Sequence, residues 1–227
     1  MKDYVLEVAT LNFVATITRP DIQYITNRLA EANKSLAKEY IAVLKHLWRY
    51  MAGTKSLGFR VGGRQYISNF YLYIYGDASF ANDLLTRVSI GGHIVFLAGC
   101  PIIWKSQKQT IVTISTIEAE FINFTPTTLS IKWIVQICAE AGYPQGAPLL
   151  VHTDSQNARL AVLNPLQTVR TRYIDIRYKW INQEVEKGHI LLEFVGTAAM
   201  KADGLTKALD RVKYGVFVRQ LGLASYS

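Results

Sequence analysis

The 227-residue chain is poor in the residues that staple or ligate a fold. It has two cysteines, Cys100 and Cys138, each in apolar surroundings and without CxxC spacing. They read as buried thiols rather than a disulfide or a metal pair. Its four histidines, His46, His93, His152 and His189, show no ligand spacing. No run of 18 or more apolar residues occurs, so no membrane span is expected. Asp3 and Glu7 interrupt the start, which lacks a signal-peptide layout and points to an intracellular protein. A phosphate loop of the GxxxxGK[ST] type is absent, as are internal repeats and low-complexity tracts. Acids are scarce too: 17 Asp and Glu stand against 25 Lys and Arg, for a net charge of +8. A surface with that balance attracts polyanions, phosphate backbones above all.

What is present is ample apolar material, 50% of the chain, enough for one or two packed cores. Residues 20–52 carry Ile22, Ile25, Leu29, Ala37, Ile41, Leu44 and Leu47 at near-helical spacing. The stretch "MAGTKSLGFRVGGRQ" (51–65), with four glycines, ends this region and predicts a boundary. Beyond it "NFYLYIYGD" (69–77), "SIGGHIVFLAG" (89–99) and "PIIWKS" (101–106) read as strands, the last two joined by a Gly-Cys-Pro turn. A helical stretch over 116–141 contains Pro126, which should kink or split it. The strand "PLLVHT", the short helix "SQNARLAVLN", the amphipathic "IDIRYKWINQEVEKG" stopped by Gly188, the strand "HILLEFVG" and closing helices in "MKADGLTKAL" and "RVKYGVFVRQLGL" complete the pattern. A three-strand meander leading into α/β crossovers predicts an α/β fold: a five-stranded mixed sheet flanked by helices. The domains expected are 1–65, helical, and 66–227.

Four acids fall at informative places. Asp77 ends the first strand of the second region, and Asp154 ends the fourth. Glu120 lies near the start of the long helix, and Asp203 near the start of the one after the fifth strand. Asp154 has two readings that the stretch alone leaves open: a helix cap, or a charge aimed into the crevice beyond the strand ends. If the first and fourth strands are neighbours, Asp77 and Asp154 converge, and Glu120 and Asp203 approach from the sides. Such a cluster repels itself unless divalent cations intervene. Mg²⁺ takes oxygen ligands, and two ions roughly 4 Å apart can serve phosphodiester hydrolysis without histidine or cysteine.

The motifs around these acids are similar to those of a known family. "LLVHTDSQNARLAV" resembles the strand-turn-helix of ribonucleases H, which carry Thr-Asp-Ser-Gln there. "YGDASFANDLLTRVSIGGHIVFLAGCPIIWKSQKQT", "STIEAEF" and "TRYIDIRYKWINQEVEKGHILLEFVGTAAMKADGLTKAL" resemble the ribonuclease H domain of copia-type retrotransposon polyproteins. "TRPDIQYITNRLAEANKSLAKEYIAVLKHLWRYMAGTKSLGF" resembles the connection between polymerase core and ribonuclease H in those polyproteins. The match is collinear over nearly the whole chain, and no polymerase palm motif is present.

By position, the resemblance implies that Asp77, Glu120, Asp154 and Asp203 are catalytic acids holding two Mg²⁺ or Mn²⁺ ions, with Glu118 as the fallback for Glu120. It implies a ribonuclease H-like fold and an endoribonuclease that cuts the RNA strand of RNA/DNA hybrids beside a reverse-transcriptase polymerase domain. A cytoplasmic (virus-like particle) or nuclear location is implied as well. Tyr173 and Lys179 stand where the family has histidines, and "NFTPTTLS" replaces an alanine-rich run. These departures support the rival reading, a catalytically weak or inactive interaction module derived from a retrotransposon.

On the substrate side, Lys105, Ser106, Lys108 and Gln109 in "WKSQKQ", and Arg170, Arg172, Arg177 and Lys179 in "VRTRYIDIRYK", are suited to hold phosphates without reading bases. Ser155, Gln156 and Asn157 either contact sugars beside the acids or are solvated residues at a helix start. Asp175 is read as pairing within its own segment, Trp104, Trp133 and Trp180 as core, and Gly76, Gly91 and Gly92 as turn or bulge glycines.

Overall fold

The structure, a computed structural model, describes residues 2–34, 37–61, 70–83, 86–163 and 172–226. In chain order, helices α1 (Lys2–Ile17), α2 (Gln23–Glu31) and α3 (Lys38–Gly53) precede strands β1 (Leu57–Gly58), β2 (Leu72–Ser79), β3 (Ile90–Leu97) and β4 (Cys100–Lys108). Helix α4 (Thr116–Glu140), strand β5 (Leu149–Thr153), helices α5 (Gln156–Leu163) and α6 (Arg172–Glu186), strand β6 (Ile190–Phe194), helix α7 (Arg211–Gln220) and strand β7 (Ala224–Ser225) follow. The chain forms two compact units, Met1–Val61 with Ala208–Ser227, and Gly62–Lys207.

The first unit is helical, as residues 20–52 predict, and adds α1, which the sequence reading did not single out. Tyr4, Val8 and Leu11 of α1 pack with Ile22, Leu29, Leu44 and Leu47. A buried ion pair underlies this core. Arg19 Nη2 lies 2.8 Å from Asp21 Oδ2, and that carboxylate also accepts the Tyr50 hydroxyl at 2.6 Å. Arg19 Nη1 donates to the Thr54 carbonyl at 3.1 Å. The Tyr214 hydroxyl of α7 donates to the Asp21 carbonyl at 3.2 Å, and β7 pairs antiparallel with β1. These bonds group the last twenty residues with the helical unit, whereas the sequence reading assigned them to the second domain.

The second unit holds the expected five-stranded mixed sheet, in the order β4-β3-β2-β5-β6. Strands β2, β3 and β4 are antiparallel neighbours, and β2–β5 and β5–β6 are parallel. Ile74, Val95, Val151, Ile190 and Leu192 of the sheet bury against Phe121, Phe124 and Ile131 of α4 and Ile181 of α6. The hairpin between β3 and β4 turns on Ala98 and Gly99, with φ of 50° and 79°, not on Gly-Cys-Pro. Two consecutive positive φ values match the right-handed strand twist, and they free Cys100 to pair with Leu97.

Pro126 does not split α4, which runs unbroken over 25 residues. Thr127 Oγ1 donates to the Asn123 carbonyl at 2.7 Å and Ser130 Oγ to the Pro126 carbonyl at 3.0 Å, tying together the turns around the missing N–H. Trp133 is not core: it is 60% exposed, because the buried stripe of α4 runs through Ile131, Ile134 and Cys138 instead. The "MKADGLTKAL" segment forms only a 3-10 turn, Asp203–Leu205, where a helix was expected.

Gly91 and Gly92 lie inside β3 rather than in a turn or bulge. A Cβ at Gly91 would meet Asn123 Oδ1 at 2.5 Å, and one at Gly92 would meet Leu205 Cβ at 2.8 Å and Thr206 Cγ2 at 2.9 Å. The pair therefore lets α4 approach one face of the sheet and the Asp203–Thr206 segment the other. Gly92→Ala is expected to destabilise the unit by about 1–3 kcal/mol through overpacking. Urea unfolding measures it, and a variant as stable as the wild type would contradict this packing.

Candidate metal centre

Strand register brings the first two acids together. Tyr75 pairs with His152 in the parallel β2–β5 ladder, so two residues further on Asp77 stands level with Asp154, just beyond the end of β5. Helix α4 supplies the third. Ligand oxygens of Asp77, Glu120 and Asp154 all lie within 4.8 Å of one another. Asp77 and Glu120 are 3% and 4% exposed, and Asp154 is half-buried.

Local chemistry sorts each acid. Glu118 Oε2 accepts the Ile114 N–H at 2.8 Å while Ser115 Oγ accepts the Glu118 N–H at 3.2 Å, a reciprocal cap that starts α4 and occupies Glu118 outside the cluster. Glu120 points the other way, and its Oε1 accepts the Ala78 N–H at 3.3 Å. At α5 the cap is Ser155, whose Oγ accepts the Ala158 N–H at 3.2 Å. Asp154 is thereby free of capping, and its Oδ2 accepts only a 3.2 Å bond from Thr197 Oγ1 among the bonds described. Asp203 stays beside the cluster, with Oδ1 2.5 Å from Lys207 Nζ. Two residues of this site escaped the sequence reading. Thr206 Oγ1 donates a short hydrogen bond to Asp77 Oδ2, and Lys207 pairs with Asp203. Both lie in the quoted "ADGLTK" run, three and four residues after Asp203, which was the available signal.

The electrostatics are those of crowded, poorly solvated anions. Burial, opposed by the Thr206 bond and reinforced by Asp154 and Asp203, pushes the Asp77 carboxyl up to about 6. Burial, with Asp77 and Asp154 adding to it, drives Glu120 well above the usual carboxylate range. Glu120 Oε2 is buried and has no hydrogen-bond partner among the described residues. A set of carboxylate oxygens alone, one of them orphaned, fits a hard divalent cation.

The basic candidates separate as well. Lys105, Lys108, Gln109 and Arg177 share a cleft of about 230 Å³ with His93, Asn123 and Thr125. Lys105 is exposed and Arg177 half-buried. Lys108 Nζ pairs with Asp83 Oδ2 at 2.7 Å, and Gln109 is buried with Nε2 on the Ala119 carbonyl at 2.7 Å. Ser106 is buried too. Gln156, Asn157 and Lys179 are exposed. Arg170 lies outside the described residues, as do the side chains of Arg172, Tyr173 and Asp175.

No protein-family model matches the chain. The Pol polyprotein from transposon RE1 of Arabidopsis thaliana is 34% identical over 216 residues, 95% of this chain and 14% of that polyprotein. The corresponding polyprotein from transposon TNT 1-94 of Nicotiana tabacum is 32% identical over 222 residues, 98% of this chain and 16% of its own length. The chain is a homologue of copia-type transposon Pol polyproteins. It spans about one-seventh of their length. Among solved structures, a foamy viral protease-reverse transcriptase in complex with an RNA/DNA hybrid matches at a TM-score of 0.51 and 13% identity, over 85% of this chain and 25% of that one. Together with the sheet order, that likeness shows an α/β fold shared with part of the foamy viral protein. Among the described residues, no helix is long and apolar enough to cross a membrane.

Buried carboxyls that hold protons more tightly in the fold than in the unfolded chain weaken the fold as pH rises. For Asp77 that loss sets in near pH 4 and is complete above about 6. Asp77→Asn is expected to raise the Tm of the chelator-treated protein by a few degrees at pH 8, to flatten this pH dependence, and to abolish the Tm rise produced by Mg²⁺. Thermal melts at pH 4, 6 and 8, with and without Mg²⁺, check it; a less stable variant at pH 8 would show that the cluster is not self-repelling.

Proposed function

We propose that the chain is the ribonuclease H portion of a retrotransposon-type reverse transcriptase, hydrolysing the RNA strand of RNA/DNA hybrids inside the cell. The supporting observation is the convergence of Asp77, Glu120 and Asp154 at the ends of adjacent parallel strands of a ribonuclease H-like sheet. Those three acids, with Asp203 alongside, are the residues that would hold two Mg²⁺ or Mn²⁺ ions. When bound, such ions supply an activated water and neutralise charge on the phosphate under attack.

The chain's own residues do the rest. Thr206 and the Ala78 N–H fix the carboxylates of Asp77 and Glu120 by hydrogen bonds, so the ligand oxygens are set before substrate arrives. Lys105 and Arg177, at the cleft beside α4, hold phosphates of the duplex. Gln156 and Asn157, exposed next to Asp154, reach sugar hydroxyls, which distinguish the RNA strand. The helical unit, a connection-like segment, joins the nuclease to a polymerase domain.

Cleavage of an end-labelled hybrid with Mg²⁺ or Mn²⁺ tests this reading. Asp154→Asn is expected to lose at least about a hundredfold in rate, as befits a ligand rather than an outer partner, while Glu118→Gln retains cleavage. Absence of cleavage by the wild type with both ions, binding intact, would leave the chain as an interaction module. Lys105→Ala and Arg177→Ala are each expected to weaken hybrid binding regardless of sequence and to lower the slope of log K against log salt by about 1. Filter binding across 50–200 mM salt measures this, and unchanged slopes would remove the cleft from the substrate path.

A further inference from the structure

Lys207 is a cation already seated at the acid cluster. Its Nζ lies 2.5 Å from Asp203 Oδ1, with the lysine side chain 37% exposed and that of Asp203 14%. The 3-10 turn builds this pair. The Thr206 and Lys207 N–H groups both donate to the Asp203 carbonyl, at 3.1 and 3.3 Å, which folds the lysine back over the carboxylate. Burial opposes the ammonium, yet Asp203, Asp77 and Asp154 together outweigh it and hold the proton on Lys207 more firmly than usual. The same charge eases Asp77 and Glu120. Asp203, meanwhile, is the acid of the four that stays outside the 4.8 Å group.

We infer that Lys207 is a built-in counter-cation, which in the metal-free protein holds Asp203 beside the cluster and which a second divalent ion must displace from Asp203 in order to bind. This rests on reading the cluster as a metal centre. The first ion meets Asp77, Glu120 and Asp154, whose oxygens are already gathered; the second competes with a tethered ammonium for its carboxylate. Lysine suits the part, since its compact charge rides on a flexible stem that can swing into water when displaced. A guanidinium would hold the same carboxylate through two bonds and release it less readily.

Titration calorimetry with MnCl₂ on the full chain, without nucleic acid, tests the inference. The wild type is expected to bind in a stronger and a weaker phase. Lys207→Met should tighten the weaker phase by about five- to tenfold, the range of a modest site–site coupling. Lys207→Arg should leave that phase weak, and Lys187→Met, an exposed charge change elsewhere, should move neither phase. Chelator-treated Lys207→Met should melt below the wild type, with Mn²⁺ closing the gap. If Met does not fold by circular dichroism, Lys207→Gln provides the same comparison. Unchanged or weaker Mn²⁺ binding by a folded variant overturns the counter-cation role, as does an equal gain in Lys187→Met. Wild-type protein that binds no Mn²⁺ at all overturns both this role and the metal-centre reading, so the two failures are distinguishable.

Discussion

Three carboxylates with ligand oxygens within 4.8 Å, two of them buried, repel one another, and much of the second unit is arranged to keep them there. The parallel β2–β5 pairing sets Asp77 level with Asp154, so neither can retreat without shifting the sheet register. Helix α4 is fixed against that pair by Asn123, whose Nδ2 donates to the Gly92 carbonyl at 3.0 Å. This contact requires bare backbone at Gly91, and the opposing contact of Leu205 and Thr206 requires it at Gly92. Two adjacent glycines thus set the distance between the helix that carries Glu120, the strand that carries Asp77, and the turn that carries Asp203. Pro126 lies beyond this anchor, which is why a proline inside α4 leaves Glu120 in the cluster.

The sequence showed the sheet well because each central strand announces itself twice, by alternation and by the residue that ends it. Asp77 and Asp154 could be paired on paper once the strands were taken as neighbours. The choice of Glu120 over Glu118 rested on the resemblance, yet a Ser at 115 with a Glu at 118 is a capping box that gives Glu118 a role of its own. The same rule gives Ser155, not Asp154, to α5. What the sequence hid were contacts set by tertiary approach. Nothing in "SIGGHIV" says that its glycines face a helix on one side and a turn on the other. Trp133 was read as core because its neighbours are apolar, yet the helix turns it outward. The grouping of α7 with the helical unit depends on a tyrosine hydroxyl meeting a backbone carbonyl almost two hundred residues earlier, which no periodicity signals.

Basic residues sort by partner rather than by number. Lys108 is matched by Asp83, Lys132 by Glu184 and Lys207 by Asp203, so the charge of these three lysines is answered within the chain. Lys105 and Arg177 border a cleft whose described lining carries no carboxylate, in keeping with the phosphate-holding role proposed for them. The net charge of +8 is therefore informative only after such pairs are set aside.

Two of the buried charge groups among the described residues differ in how fully they are answered, and that difference separates structure from function. In the helical unit Asp21 receives Arg19 through two bonds of 2.9 and 2.8 Å and Tyr50 through a third, while Arg19 also reaches Thr54. Every charge there has an answering group, as a buried pair must if it is not to destabilise its surroundings. At the acid cluster the answering groups are too few. Among the described residues Asp77 has one hydroxyl, Glu120 has one amide and an orphaned oxygen, and Lys207 attends to Asp203. An evolved core could close that deficit with an arginine, as this same chain does around Asp21. Leaving it open accords with the metal centre proposed above, since a divalent ion is the species that a cage of carboxylate oxygens selects.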